Sequence, residues 1–316
     1  MTDTTRAVVI PQAGLVELQD VNLKGVGPDD VVVETAFTSI SAGTERMLLA
    51  GQMPHPMLQL PVVPGYETVG RVVQVGDNVA GDLQDSWVYV GGAQCYDGVN
   101  AAWGGQSSRL ITAGQRVVPL GDVNPRQGVL LALSATALHG VDVLNVQAGQ
   151  RVLVIGQGPV GQIAARIAKQ RGAWVAVSDL NDTRLGLSEA DLVVNAEESN
   201  LAKAIGEPVD AIIEASGSMG ALASALSLLG NGGTVLLLGY YQKLDLPYMP
   251  LFLKEAKLLT AKEWASGDLT RCRDMIADGS LDVSALLTHS IGVEQVSEAY
   301  EIALNERDCL KLVMEW

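Results

Sequence analysis

The hydrophobic and polar positions follow one pattern in the first third of the chain and another pattern beyond it. Up to about residue 120, short apolar runs such as Val31–Val33, Thr68–Val75 and Trp87–Val90 are separated by Gly, Pro and Asp. Runs of this length bounded by turn residues predict strands. Frequent Gly within them is typical of strands that bend and close on one another, so this part is predicted to be β-rich.

Later in the chain, apolar runs of strand length alternate with patterns of helical period. The predicted strands are Arg151–Ile155, Trp174–Ser178, Asp191–Asn195, Ala211–Glu214, Thr234–Leu238 and Leu258–Lys262, with a closing strand at Cys309–Met314. The predicted helices are Gln127–Leu144, Gly161–Arg171, Ser218–Leu229, Leu269–Asp278 and Val293–Asn305. Strands that alternate with helices predict a parallel sheet covered on both faces.

These patterns together predict an α/β protein of two domains. We expect a β-rich domain over residues 1–125 and 266–316, and a doubly wound parallel-sheet domain over residues 126–265. The cleft between two such domains is the place where a cofactor and a substrate are expected.

Composition and charge narrow the class of protein. The 316 residues carry a net charge of -15 and no cluster of Lys and Arg, which argues against nucleic acid as a partner. The three cysteines, Cys95, Cys272 and Cys309, are far apart and favour a reduced, cytoplasmic protein. The N-terminus lacks the pattern of a signal peptide, and no run of about 18 uncharged apolar residues predicts a membrane span.

A glycine motif lies between the first strand of the parallel sheet and the helix after it. Gly156, Gly158 and Gly161 have the GxGxxG spacing, with Pro159 and Val160 between the last two. In such a turn the first Gly allows a tight bend, the second lets a pyrophosphate approach the backbone, and the third lets helix and strand pack closely. The helix N-terminus then presents N–H groups to the phosphates, so the motif predicts a Rossmann dinucleotide site.

The residue at the ribose position indicates which dinucleotide is bound. Asp179 follows the second strand of the parallel sheet, where a carboxylate accepts hydrogen bonds from both ribose hydroxyls and repels a 2′-phosphate. We therefore predict NAD as the cofactor. Arg184 lies close by in sequence and is a second candidate contact for the cofactor, which leaves NADP as the alternative.

Several stretches resemble the medium-chain dehydrogenase/reductase superfamily over nearly the whole chain. They are Pro64–Glu67 with Gly70–Val72, Val75–Val79 and Ala148–Val154. This resemblance implies a GroES-like catalytic domain, formed by the β-rich part, beside the Rossmann domain. It also implies that Thr136 contacts the cofactor beside the nicotinamide.

The zinc ligands of that superfamily are missing from the corresponding places. Tyr66 stands where zinc-dependent members have a His, Ser41 lies near the first Cys ligand, and Leu131–Leu133 offers no sulfur at the third position. Zinc in proteins prefers thiolate and imidazole ligands, and a catalytic site needs three protein ligands. We therefore predict an enzyme without a metal.

A second set of stretches resembles the branch of the superfamily that acts on bacteriochlorophyll precursors. They are Ser39–Glu45, Gly51–Pro54, Val63–Glu67, Gly239–Tyr241, Phe252–Ala256, Ala261–Trp264 and Leu287–His289. The resemblance implies NAD-dependent oxidation of the 3-(1-hydroxyethyl) group of a bacteriochlorophyllide a precursor to a 3-acetyl group. A bacteriochlorophyllide-type macrocycle is then the expected small-molecule partner.

Without zinc, side chains have to polarise the alcohol and take its proton. Tyr66 is the first candidate because it replaces a metal ligand, although the ring could simply fill the volume left by zinc. Glu67 is a candidate proton acceptor if burial raises its pKa, or else a structural carboxylate. Ser41 and Thr44 could bond the reacting oxygen, or only satisfy the backbone of a turn.

A flat macrocycle needs apolar and aromatic surface with a few polar anchors. Tyr240 and Tyr241 are candidate stacking residues, Arg46 a candidate partner for a propionate, and His55 a candidate neighbour of a central magnesium. The same pattern leaves open a zinc-free quinone or enoyl reductase, and a non-catalytic NAD-binding scaffold. It also leaves homo-oligomerisation open.

Overall fold

A computed structural model describes residues 3–54, 58–79 and 81–316, and it divides the chain into two compact units. The first unit comprises Met1–Ala132 and Leu287–Trp316, and the second comprises Leu133–Leu286. The second unit thus ends beyond the boundary at 265 that the sequence predicted. The physical reason is the helix that begins at Asp268, since Arg271 on it pairs with Asp142 of the second unit at 2.7 Å.

The elements follow one another in three groups along the chain. The first unit begins with β1 (Thr4–Gln12), β2 (Leu15–Leu23), β3 (Asp30–Ser39), α1 (Ala42–Leu49), β4 (Val62–Val63), β5 (Thr68–Val75), β6 (Trp87–Val90), β7 (Tyr96–Asp97), β8 (Asn100–Ala101), β9 (Arg109–Ala113) and β10 (Val117–Pro119). Next come α2 (Leu131–Leu144), β11 (Arg151–Ile155), α3 (Pro159–Gln170), β12 (Trp174–Asp179), α4 (Asp182–Gly186), β13 (Leu192–Asn195), α5 (Leu201–Ile205), β14 (Val209–Glu214), α6 (Met219–Ala225), β15 (Leu229–Leu237), α7 (Tyr248–Leu253), β16 (Lys257–Thr260) and α8 (Asp268–Ala277). The chain closes with β17 (Leu287–Gly292), α9 (Val296–Asn305) and β18 (Lys311–Glu315).

The first unit is built from two sheets, as the β-rich pattern predicted. One sheet has the strand order β7-β2-β1-β4-β8, and the other has the order β10-β6-β5-β3-β18-β17, with β9 also pairing with β3. The strand β3 lies at the centre because β5, β9 and β18 all pair with it in antiparallel register. Pairing of Val313 with Ser39 brings the end of the chain back into this unit.

The second unit contains a parallel six-stranded sheet of order β13-β12-β11-β14-β15-β16. Its inner strands are almost fully apolar and buried, as in Val152, Leu153 and Val154. The strand order reverses between β11 and β14, which are neighbours in the sheet but are separated by three helices along the chain. Ligands of doubly wound sheets bind at this point, beyond the carboxyl ends of the strands.

The predicted helix over Ser218–Leu229 corresponds to a helical segment over Met219–Leu228, which is one residue shorter at each end. The α-helix α6 covers Met219–Ala225, a 3-10 turn follows, and Leu229 already begins β15. Gly230, Gly232 and Gly233 follow directly, and Gly is among the poorest helix formers because it loses the most backbone freedom. These glycines follow the helical segment directly, so the helix does not continue beyond Leu228.

One helical segment among the described residues, Gln127–Leu144, is long and apolar enough to cross a membrane. In the fold, 67% of this segment is buried within the protein. Packing in the core therefore accounts for its apolar side chains.

Candidate active site

The glycine turn leaves β11 at its carboxyl end, beside the end of β14. Gly156 has φ +91, and a Cβ on it would lie 2.6 Å from the backbone N of Ser216. A Cβ on Gly161 would lie 1.9 Å from the carbonyl oxygen of Gly156. A Cβ on Gly158 would meet nothing within 4 Å. The first and third glycines are therefore required by packing, whereas the second faces open space.

The helix α3 begins at this open space. Gly158 is its N-cap residue in an extended conformation, Pro159 is at the first helical position, and no side chain caps the terminus. The N–H groups of the first turn and the positive end of the helix dipole fit the pyrophosphate of a dinucleotide. Val160 belongs to this first turn.

Asp179 is held in place at the end of β12. Its Oδ2 accepts a hydrogen bond from the backbone N of Gln157 at 2.6 Å, and its Oδ1 accepts one from the backbone N of Leu180 at 2.7 Å. The carboxylate is therefore tied to the glycine turn, as the ribose position requires. Arg184 is half-buried on α4, where its backbone N donates to Asn181 at 2.9 Å. These residues fit a dinucleotide.

Glu214 is a residue of this region that the sequence reasoning missed. It ends β14, and its carboxylate accepts hydrogen bonds from the backbone N of Ser216 at 2.9 Å and of Gly217 at 3.1 Å. Burial raises the pKa of Glu214. It shapes the loop that touches Gly156, and its place at the end of a predicted strand was the available signal. Thr136, the other predicted cofactor contact in this unit, is half-buried on α2.

Three of the four predicted catalytic residues form one hydroxyl cluster in the first unit. The Tyr66 hydroxyl lies 2.5 Å from Ser41 Oγ and 3.2 Å from Thr44 Oγ1. Ser41 is the N-cap residue of α1 and Thr44 lies in its first turn, so the start of one helix supplies both hydroxyls. We call Ser41, Thr44 and Tyr66 the hydroxyl cluster.

The phenol of Tyr66 keeps its proton at neutral pH. Burial, followed by the nearby charge of Glu67, raises the pKa of Tyr66 well above its usual range. The ring packs edge-on against Trp103 with centroids 5.2 Å apart, and the backbone oxygen of Tyr66 accepts a hydrogen bond from Tyr89 at 2.7 Å. The phenol is therefore suited to donate or relay a proton, and poorly suited to act as a free base.

Glu67, the residue after Tyr66, forms a buried ion pair. Its Oε2 is 2.5 Å from Lys311 Nζ and also accepts a hydrogen bond from Ser39. Lys311 is buried too, and it donates to the carbonyl oxygen of Ile40 at 3.0 Å. The other oxygen of Glu67 has no hydrogen-bond partner among the described residues. These contacts join the residue before β5 to β3 and β18, and the role of Glu67 as a proton acceptor stays a prediction.

Glu45 is a second residue that the sequence reasoning missed. It is fully buried on α1, and its Oε1 accepts a hydrogen bond from the backbone N of Ser41 at 3.0 Å. Its Oε2 accepts hydrogen bonds from Tyr300 at 2.5 Å and from Gln106 at 3.0 Å. Burial raises the pKa of Glu45 to about 7. Its spacing of four residues from Ser41 was the signal that could have found it.

The oxygen atoms of the hydroxyl cluster are unsuitable as ligands for zinc. Two aliphatic hydroxyls and a phenol that keeps its proton replace the thiolates and imidazoles that zinc prefers. Across residues 3–54, 58–79 and 81–316, no three His, Cys, Asp or Glu side chains are grouped so that they could hold a metal ion.

Three of the four residues predicted to bind the macrocycle are described by the structure, Tyr240 and Tyr241 in the second unit and Arg46 in the first. Tyr240 is 60% exposed, whereas Tyr241 is half-buried and its hydroxyl donates to the backbone oxygen of Glu214 at 3.4 Å. The guanidinium of Arg46 donates to the backbone oxygen of Leu304. His55 lies outside the described residues.

Comparison with known proteins agrees with this architecture. The alcohol dehydrogenase GroES-like domain family matches residues 27–122, and the zinc-binding dehydrogenase family matches residues 159–277. The solved structure of L-idonate 5-dehydrogenase from Escherichia coli has a TM-score of 0.89 at 20% identity, over 100% of this chain and 99% of that one. The predicted α/β architecture, a GroES-like domain with a Rossmann domain, is confirmed.

Full-length relatives define the family more closely. The 2-desacetyl-2-hydroxyethyl bacteriochlorophyllide A dehydrogenase of Rhodobacter capsulatus is 33% identical over 99% of this chain and 98% of its own length. The protein of the same name from Cereibacter sphaeroides is 31% identical, with the same coverage. The fold and the site thus define an oxidoreductase of the medium-chain dehydrogenase/reductase superfamily. Within it, the chain belongs to the family of the bacteriochlorophyllide A dehydrogenases.

Proposed function

We propose that the protein oxidises the 3-(1-hydroxyethyl) group of a bacteriochlorophyllide a precursor to a 3-acetyl group, with NAD as the hydride acceptor and without catalytic zinc. The observation that carries this proposal is the hydroxyl cluster, which gathers three proton-bearing side chains, two of them, Ser41 and Tyr66, at places that match zinc ligands of the superfamily. The two full-length relatives support the choice of substrate.

The reaction removes two hydrogens from the secondary alcohol. The chemistry that bound NAD would supply is the acceptance of the carbinol hydrogen together with its electron pair. As the C–O bond becomes a carbonyl, the hydroxyl proton leaves through a relay, in which Ser41 takes this proton while it passes its own proton on to water. Because the phenol of Tyr66 stays protonated, we infer that it stabilises the developing alkoxide by donating a hydrogen bond.

The residues of the second unit would hold the cofactor. The glycine turn and the first turn of α3 would bind the pyrophosphate, and Asp179 would bind the adenosine ribose. Asp179 supports NAD over NADP, because its carboxylate is fixed by backbone N–H groups and cannot turn away from a 2′-phosphate without breaking them. Since NADP would bring that phosphate beside a negative charge, its binding is disfavoured.

The test is an assay of the purified protein with a hydroxyethyl bacteriochlorophyllide and either NAD+ or NADP+, before and after treatment with a chelator. We expect a red shift of the pigment absorption as the carbonyl joins the ring conjugation, faster with NAD+ and unchanged by chelation. No spectral change with the cofactor bound overturns the substrate. Near-stoichiometric zinc that is lost together with activity overturns the zinc-free mechanism.

A further inference from the structure

Trp103 has a backbone conformation that a bulky residue rarely adopts. Its φ is +68, in the left-handed region where a Cβ is crowded by the following carbonyl oxygen. Gly or Asn would occupy this position at lower cost. A strained tryptophan therefore needs a reason, and strain of this kind is concentrated at functional sites.

The surrounding backbone imposes that conformation on Trp103. Gly92 has φ +108, and a Cβ on it would lie 2.3 Å from the carbonyl oxygen of Trp103. Gly104 has φ +77, and a Cβ on it would lie 2.1 Å from the carbonyl oxygen of Ala93. The backbone of residues 92–93 thus packs directly against the backbone of residues 103–104, and this packing leaves the conformation of Trp103 little freedom.

The indole is placed beside the hydroxyl cluster. It meets the Tyr66 ring at 5.2 Å between centroids with an interplanar angle of 60°. Part of Trp103 packs against the core of the first unit, and part of its surface stays accessible. A large flat aromatic side chain is therefore presented next to the group proposed to bind the alcohol oxygen.

We propose that Trp103 is a specificity-determining residue, whose indole contacts the conjugated ring that carries the hydroxyethyl group. This inference rests on the proposed function. Aromatic rings attract one another in offset-stacked or edge-to-face arrangements, and a macrocycle offers a large aromatic surface to one indole. When Tyr66 binds the alcohol oxygen, the ring attached to the carbinol carbon has Trp103 as its aromatic neighbour.

The experiment compares Trp103→Gly and Trp103→Phe in the full-length protein. Gly suits the left-handed backbone but removes the ring, whereas Phe keeps an aromatic face. We expect Trp103→Gly to raise the KM for the hydroxyethyl bacteriochlorophyllide by about tenfold or more, with kcat changed less than about threefold. Trp103→Phe is expected to restore most of the affinity. NADH binding, measured by fluorescence, is expected to be the same in all variants.

The control is Trp87→Ala, which removes an indole from the same unit at an exposed position on β6. This variant is expected to keep the KM of the parent. If the parent is active and Trp103→Gly has the same KM for the pigment, the role of Trp103 is overturned and the proposed function is not affected. An equal fall of kcat and thermal stability in Trp103→Gly and Trp103→Phe, which is the signature of a purely structural residue, also overturns this role. A parent that binds NADH but does not oxidise the pigment overturns the proposed function and this inference together.

Discussion

At the residue scale, the phenol of Tyr66 is subject to opposing effects. Burial and the charge of Glu67 disfavour its ionisation, while the hydrogen bonds with Ser41 and Thr44 favour it. Burial is the larger effect, so the pKa of Tyr66 is raised and its proton stays in place. The site is built to share a proton between hydroxyls, and no negative phenolate is available at neutral pH.

Replacement of Tyr66 by Phe tests this arrangement. Since the ring contact with Trp103 is kept and only the hydroxyl is removed, we expect kcat to fall by about tenfold or more, while NADH affinity is kept. Steady-state kinetics with the pigment and a fluorescence titration with NADH measure the two effects.

The matched control is Tyr96→Phe, which removes a buried tyrosine hydroxyl that donates to Gly104 in the same unit. This variant is expected to lose some stability and little turnover. If Tyr66→Phe keeps a rate within about threefold of the parent, the hydroxyl of Tyr66 has no part in the mechanism.

Glu45 makes folding stability depend on pH. Its pKa rises from 4.5 to about 7 on folding, mainly because burial disfavours the charged form. The unfolded chain therefore releases this proton between about pH 4.5 and 7 while the folded protein retains it. The contribution to stability is present at pH below 4.5 and is lost as the pH rises towards 7.

We expect the parent to lose of the order of 3 kcal/mol of unfolding free energy over this range relative to Glu45→Gln, which does not titrate. Urea denaturation of both proteins between pH 4.5 and 8 measures the difference. Parallel pH profiles of the two proteins would show that Glu45 has an ordinary pKa in the folded state.

At the element scale, the glycines of the turn between β11 and α3 differ in their surroundings, since Gly161 is closely packed and Gly158 is open. Gly161 packs against the carbonyl oxygen of Gly156, so a methyl group there has to push the helix away from the strand. Gly158 faces open space, so a methyl group there disturbs the ligand and leaves the fold intact.

The two alanine variants should therefore behave differently. Gly158→Ala is expected to weaken NADH binding by about tenfold or more with an unchanged melting temperature, because only the approach of the pyrophosphate is blocked. Gly161→Ala is expected to lower both the NADH affinity and the melting temperature, because the packing of α3 against β11 is disturbed. Fluorescence titration and thermal unfolding separate the two effects. A melting temperature that falls equally in both variants would contradict the distinction.

The spacing of apolar residues in the sequence predicted the bounds of those elements whose local hydrophobic pattern is strong. The strands Thr68–Val75, Trp87–Val90 and Arg151–Ile155 have the predicted bounds because each is an apolar run between turn residues. The helix α1 was not predicted, since Ala42–Leu49 is short and has only a weak apolar face. Its N-terminus nevertheless supplies Ser41 and Thr44 to the hydroxyl cluster.

At the scale of the whole molecule, the chain ends inside the unit in which it began. The strand β18 inserts between β3 and β17, and it brings Lys311 to Glu67. Both charges are buried, so removing one of them leaves the other without a partner in an apolar environment.

Lys311→Met is therefore expected to destabilise the protein by about 3–5 kcal/mol, and the double variant Lys311→Met with Glu67→Leu by much less. The control is Arg6→Ala, which breaks the exposed pair with Glu294 and is expected to cost at most about 1 kcal/mol. Urea denaturation measures all three. A loss in Lys311→Met no larger than that of the control would show that the buried pair does not hold β18 in place.

The sequence by itself determined the features that depend on neighbours along the chain. The glycine turn with Asp179 and the alternation of strands and helices are local patterns, whereas resemblance supplied the family and the places where its zinc ligands are missing. Only the tertiary structure decided which distant side chains meet: Tyr66 with Ser41 and with Trp103, and Glu67 with Lys311. The physical reason is that these contacts depend on strand order, register and backbone strain, and the pattern of hydrophobic and polar residues does not encode them.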